Sequence, residues 1–359
     1  MLALTALITV AQPQVTWLER QHDFGVFKEE NGKVRCHIRM VNTGNEPLLV
    51  VKTQVGCGCT GTKYPESPIQ PGDTAAIEIS YDPSGRPGEF SKRIIIFTNT
   101  VPQRTTLEIM GNVIPTAASL NKQYPVQAGS LRISQRILPF GELTRGKNST
   151  QYLSAYNAST DTIVVTVAGD KSHIRPAVVP DTVPPARVTA LTVHYLSGHA
   201  PQWGLNVDTL TLNCTPLRQP SNAIAGTTTV NVMAQVLESF DELTDKERRD
   251  APVVSMDCGD RIDFGTFKEE SNKVARTFTI TNKGKNPLII RRLWVPDGEG
   301  FNVNVNRTEV KRGKSATVIV TAQAEKLKGD VINVPLTVMS NDPETPRLTI
   351  RLVGLNDQQ

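Results

Sequence analysis

The chain repeats itself. Residues 24 to 50, FGVFKEENGKVRCHIRMVNTGNEPLLV, return at 264 to 290 as FGTFKEESNKVARTFTITNKGKNPLII, at a constant offset of 240 positions. Phe24, Lys33, Asn42 and Pro47 thus match Phe264, Lys273, Asn282 and Pro287. The match continues with small slips: Ile69-Gln-Pro-Gly72 with Val310-Lys-Arg-Gly313, Thr98-Asn99 with Ser340-Asn341, and Gly111 with Gly354. A long internal repeat limits the fold more than composition does, because each copy must form a comparable structural unit. Each copy spans about 100 residues, the size of one β-sandwich. Between them, Pro139-Phe140-Gly141-Glu142-Leu143 and Ala155-Tyr156-Asn157-Ala158 repeat the opening weakly, marking a diverged middle copy.

The repeated pattern reads as strand, turn and strand. Val34 to Val41 and Val274 to Thr281 broadly alternate apolar and polar residues, which puts one face on a core and the other toward water. Asn42-Thr-Gly-Asn45 and Asn282-Lys-Gly-Lys285 are expected to supply positive-φ turn residues, and the Pro-Leu segments at 47 and 287 to start the next strand. In the Phe-Gly pairs the aromatic is expected to enter the core, with glycine letting the chain pass close to the opposite sheet. Gly72 and Gly313 mark a further turn before a half-buried strand. With 24 Pro, 25 Gly and abundant Val, Thr and Ile, many short strands and an all-β class follow. A hydrophobic content of 38% with 21% charged residues excludes disorder by composition.

The organisation predicted is a signal peptide or N-terminal apolar segment at 1–14 and a first sandwich at 15–115. A diverged second sandwich at 128–238, a charged linker at 239–251 (a short helix or extended) and a third sandwich at 252–356 complete it. The run MLALTALITVAQPQ is too short to span a membrane and carries small residues where a signal peptidase cuts, which points to export. No other stretch is apolar and long enough to cross a bilayer. The net charge of +4 arises from 39 basic and 35 acidic residues that are interspersed, without the basic stripe that nucleic acid requires.

On the F-G-x-V/F and T-N-T-G-x-x-P-L segments, the chain resembles the immunoglobulin-like superfamily of ASH, hydin and major sperm protein domains. With Val55-Gly-Cys-Gly-Cys-Thr60 and Ile69-Gln-Pro-Gly72 added, residues 15 to 113 look like the DUF1573 family of exported proteins of Bacteroidetes type. The resemblance implies three tandem immunoglobulin-like (ASH/MSP-like) sandwiches and an exported compartment, and brings no catalytic residue with it. The third copy carries Pro296-Asp-Gly-Glu-Gly300 where the first has its cysteines, so the cysteines are not needed for the fold.

If extended, the segment around Cys57 and Cys59 projects both thiols from one face, where they could grip a soft ion such as Cu(I) or Zn(II). Two thiolates leave a zinc site incomplete, and the further ligand types Cys36 and His37 lie on another strand. Buried or loop thiols, or a local disulfide, are the preferred alternatives, and a redox-active dithiol is a further hypothesis. Of the five cysteines at least one must stay unpaired within the chain; Cys214 reads as a core residue and Cys258 as exposed. Gly56-Cys-Gly-Cys-Thr-Gly61 matches a dinucleotide fingerprint in form only, because Pro65, Pro68 and Pro71 forbid the helix it needs. His194 and His199 are five apart and read as surface residues.

Asp73-Thr74, Asp161-Thr162, Asp181-Thr182 and Asp208-Thr209, each followed by an aliphatic residue, resemble Bacteroidetes O-glycosylation sites; equally, they describe a turn entering a strand. The expected function is a non-enzymatic exported scaffold or adaptor, periplasmic or cell-surface associated, that binds a cell-envelope protein. It has no cofactor and does not bind nucleic acid. A metal- or thiol-handling module using Cys57 and Cys59 is the alternative. A carbohydrate-binding module is disfavoured by an aromatic content of 5%.

Overall fold

The structure, a computed structural model, describes residues 12–267, 273–296 and 299–356. All but residues 12–14 of the apolar N-terminal segment lie outside the described residues, as do Asp297 and Gly298 of the third copy's Pro-Asp-Gly-Glu-Gly segment. In the first sandwich the strands are β1 (Val15–Trp17), β2 (Gln21–Lys28), β3 (Val34–Asn42), β4 (Val50–Val55), β5 (Thr60–Lys63), β6 (Thr74–Tyr81), β7 (Gly88–Thr98) and β8 (Arg104–Ile114). One sheet has the order β1-β3-β6-β5 and the other β2-β8-β7-β4, with β2 parallel to β8. Alternation along β3 sends Cys36, Ile38 and Met40 inward, where they meet Ile94, Ile96, Leu107 and Ile109 from the facing sheet.

The third sandwich repeats that order. Val254–Met256, Lys273–Asn282, Ser315–Gln323 and Phe301–Val305 form one sheet. Arg261–Phe267, Arg347–Asn356, Val331–Ser340 and Leu288–Trp294 form the other, with a two-residue strand, Glu309–Val310, added at its edge. The middle unit keeps the order with short edge additions, Val126–Ala128 on one sheet and Thr182–Val183 on the other. Each pair of sheets encloses its own apolar core. The protein is therefore three tandem immunoglobulin-like β-sandwiches.

The structure reassigns the glycines. Gly25 and Gly265 have φ of 67° and 76°, and a Cβ at either would meet nothing within 4 Å, so a left-handed backbone rather than close packing requires glycine there. The parallel ladder slips between Asp23 and Val26, and again between Asp263 and Thr266. In both places the aspartate carboxylate accepts the glycine N–H at 2.8 Å. Phe-Gly thus marks a β-bulge. Close approach belongs to the facing Gly111 and Gly354, whose Cβ would lie 3.1 Å from Gly25 O and 2.9 Å from Gly265 O respectively.

The Asn-x-Gly turn is also corrected. Neither Gly44 nor Gly284 adopts positive φ; a Cβ on Gly44 would sit 2.4 Å from Gln12 O, and on Gly284 2.2 Å from Ala251 O. The turn is held by its asparagine. Asn42 Nδ2 donates to Glu46 O (2.8 Å) and Ile69 O (2.9 Å), while its Oδ1 accepts from Gly44 N (3.0 Å). Asn282 does the same with Asn286 O, Val310 O and Gly284 N. Asn157 repeats the two carbonyl contacts, to Asp161 O and Val183 O, in the middle sandwich. All three side chains are fully buried. Asn99 and Asn341 complete the lock: each accepts the N–H of Leu49 or Ile289 and donates to the carbonyl of Pro47 or Pro287.

The joints are specific. A helix absent from the sequence-level reading, α1 (Ala117–Gln123), follows the first sandwich, capped by Thr116. The carboxylate of Glu29, buried at the end of β2, accepts from Gly85 N (2.6 Å), Ser119 Oγ (2.7 Å) and Thr116 N (2.8 Å). Arg187 pairs with Glu89, and Asn112 Nδ2 donates to Ala186 O at 3.0 Å. In the predicted charged linker, helix α2 (Asp245–Arg249) forms with a Thr244/Glu247 capping box. Arg291 grips Glu238 through two hydrogen bonds of 2.9 and 2.7 Å, and Arg292 donates to Trp203 O and Leu205 O.

Burial alone would raise the pKa of Glu29, but the hydrogen bonds from Gly85, Ser119 and Thr116 outweigh it and hold the carboxyl below its usual range. A depressed folded pKa gives stability that is present above the unfolded pKa and lost as pH falls through the folded value. The expected result for Glu29→Gln is a loss of about 1–3 kcal/mol at pH 7, shrinking below about pH 4. Thermal melts at pH 7 and pH 3.5 check this; an equal loss at both would refute it.

Candidate functional site

The Cys57 segment is turned rather than extended, which changes its chemistry. Alternate residues of a strand lie about 6.6 Å apart; here the turn between β4 and β5 brings the Cα atoms of Cys57 and Cys59 to 5.3 Å and their sulfurs are bonded. Cys57 is half-buried and Cys59 is 5% exposed. Thr60 Oγ1 lies 3.7 Å from each sulfur, and the hydroxyls of Thr53 and Thr62 meet at 2.6 Å alongside, tying β4 to β5. With a sequence separation of 2, the disulfide closes so short a loop that it restricts the unfolded chain by only about 1–2 kcal/mol.

The other ligand types do not converge on it. Cys36 points into the core, where burial and the nearby Glu19 charge push its thiol up to about 11. His37 faces the other way, 3.6 Å from Glu78. Among the described residues no group of three or more His, Cys, Asp or Glu is placed to hold a metal ion. Cys214 is in the core of the middle sandwich, and Cys258 is a half-buried free thiol. His194 is half-buried and His199 exposed.

The Asp-Thr pairs occupy strand or strand-entry positions. Thr74, Thr182 and Thr209 are exposed and Thr162 is half-buried, while Ile163, Val183 and Leu210 behind them are fully buried. Two of the aspartates have structural work. Asp161 accepts from Ser221 Oγ and Asn222 N, holding the loop before Gly226–Leu237. Asp208 pairs with Lys171 at 2.6 Å and with His173 at 2.9 Å, joining the two sheets of the middle sandwich. Burial opposes its ionisation, yet these hydrogen bonds prevail and lower its pKa. Contacts over 35 and 37 residues leave no sequence signal by which this group could have been found.

Two further features are legible only in three dimensions. A cleft of about 370 Å³ opens where the second and third sandwiches meet, lined by Trp203, Phe240 and Met339 with the Glu238–Arg291 pair. At the far side of the third sandwich, Phe301–Val305 is an edge strand: it pairs with Ser315–Gln323 in unbroken register, and no strand among the described residues pairs its other side. Its sequence, Phe-Asn-Val-Asn-Val, contains no charge and no proline. Other edges are short or blunted. Val15–Trp17, Val126–Ala128 and Val254–Met256 have three residues each, β4 carries a bulge and Lys52, β5 ends in Lys63, and Ile174–Val179 contains Arg175 and Pro176.

The DUF1573 family, described as protein of unknown function, matches residues 15–113 and 258–354, the first and third sandwiches. The chain belongs to the DUF1573 family. No curated protein matches it. Among solved structures, a DUF1573 chain of this kind is similar to a protein of unknown function from Porphyromonas gingivalis W83. That likeness has 18% identity and a TM-score of 0.47, and covers 63% of this chain and 100% of that one. The ASH / PapD-like domain 7 of human CEP192 is similar at 15% identity and a TM-score of 0.27, covering 32% and 92%. The periplasmic chaperone SfaE is similar at 12% identity and a TM-score of 0.25, covering 63% and 100%. Among the described residues no helix is long and apolar enough to cross a membrane.

Proposed function

We propose that this DUF1573 protein is a non-enzymatic, exported scaffold of the cell envelope, which binds an extended segment of a partner protein on the edge strand Phe301–Val305. The observation that carries this is the uncharged, straight, unpaired edge. Such an edge presents a row of backbone donors and acceptors, and native proteins normally blunt it. An added strand satisfies those groups, with alternate side chains setting specificity. The joints at Arg187–Glu89 and Arg291–Glu238 support a spacer role, since side chains of one sandwich pair with those of the next, while Glu29 holds α1 against the first sandwich.

A photo-crosslinking residue replacing Asn304 is expected to capture an envelope protein in cells, whereas the same residue at the exposed Ala177 on the edge strand Ile174–Val179 captures none. With the crosslinking residue kept at position 304, Asn302→Lys, at an exposed position, should abolish capture without altering the melt. Equal capture from both edges, or capture that survives the lysine, would refute the assignment.

A further inference from the structure

We propose that the Cys57–Cys59 disulfide is a thiol–disulfide exchange site for extended protein segments carrying a pair of thiols. The third sandwich supplies an internal control. It reaches the same sheet order without any cysteine between Leu288–Trp294 and Phe301–Val305, so the fold does not require the bond. Nor does so short a loop add much by restraining the unfolded chain. What the bond has is access. Gly56 and Gly58 on either side of Cys57 are exposed, and a Cβ on either would meet nothing within 4 Å, which leaves room for an approaching chain. β4 and β5, which enter and leave the loop, are both edge strands, so the turn and its sulfurs stand at the rim of the sandwich, open to an approaching chain.

The two sulfurs are unequal. Cys57 is partly exposed and Cys59 is buried, which makes Cys57 the one open to attack and Cys59 the leaving group. The Thr60 hydroxyl, 3.7 Å from both, can donate to the departing thiolate. A thiolate of the substrate attacks Cys57 Sγ; the Cys57–Cys59 bond breaks and its electron pair leaves on Cys59 Sγ. The second substrate thiolate then attacks the substrate sulfur of the mixed disulfide and expels Cys57 as a thiolate. The substrate is oxidised to a disulfide, and its two protons end on Cys57 and Cys59. Return to the starting state takes a small-molecule disulfide such as oxidised glutathione, by the reverse exchange.

The test uses the full chain carrying Cys258→Ser, which removes the remaining half-buried thiol; Cys36 and Cys214 are buried at 5% and 1% exposure. A reduced synthetic peptide with two cysteines is added in excess, and alkylated sites are read by mass spectrometry. The expected result is one peptide disulfide formed per chain, with Cys57 and Cys59 becoming alkylatable and the chain remaining folded. A disulfide that stays intact, or a reduced chain that unfolds, overturns the proposal. In the same background, Cys59→Ser should form a mixed disulfide with an oxidised peptide at least about 10-fold faster than Cys57→Ser does. Equal or reversed rates, with both variants folded, overturn the assignment of the attacked sulfur. The exchange in the Cys258→Ser chain needs no cysteine-loop variant, and neither result bears on Phe301–Val305, so the two proposals fail separately.

Discussion

Asn282→Ala is expected to remove about 3 kcal/mol from the third sandwich. Its amide nitrogen satisfies two carbonyls, Asn286 O and Val310 O, at full burial, and its oxygen accepts the Gly284 N–H. Truncation leaves those groups without partners in a place closed to solvent. Asn42→Ala should cost the first sandwich a similar amount, because the contacts are the same. The three tryptophans, Trp17, Trp203 and Trp294, fall one to each sandwich, so urea unfolding followed by fluorescence can show which unit is affected. Only the transition of the altered sandwich should move. A loss below about 1 kcal/mol in either variant would mean that the buried asparagine is not the clamp.

The second large effect separates the two uses of glycine. Gly284→Ala is expected to cost more than about 3 kcal/mol, because its Cβ would sit 2.2 Å from Ala251 O and 2.5 Å from Val253 N. Backbone cannot step aside as a side-chain end can. The clash should loosen the strand Val254–Met256, which is laid down just beyond those atoms. Gly265→Ala meets no atom and bears only the left-handed conformation, a cost of about 1–2 kcal/mol. Chemical denaturation of both variants gives the order directly, and the reverse order would show that the close approach is not what selects Gly284.

The architecture was open to sequence reasoning because it is written twice at a fixed offset and because strand alternation is local. The roles of individual repeat residues were not. Asn42 and Asn282 read as turn formers, but their second acceptors lie 27 and 28 residues away, at positions no local pattern can bring near. The glycines beside them invited a conformational reading; steric approach of the chain before β1 and before Val254–Met256 decides their identity instead. Helix α1 escaped notice because its seven residues carry no apolar periodicity and none is buried. Cys57 and Cys59 stand out in the sequence as a difference between the first and third copies, but their geometry depended on the turn. The openness of Phe301–Val305 is a property of what fails to pair with it, and alternation alone gives no sign of that.

Backbone hydrogen exchange of the full chain, alone and with the partner captured through Asn304, tests the proposed function most directly. The amides of Phe301–Val305 on the side away from Ser315–Gln323 should exchange freely in the isolated chain and become protected in the complex, with the other sheet edges unchanged. Protection that appears elsewhere, with these amides still exchanging freely, would contradict strand addition at this edge.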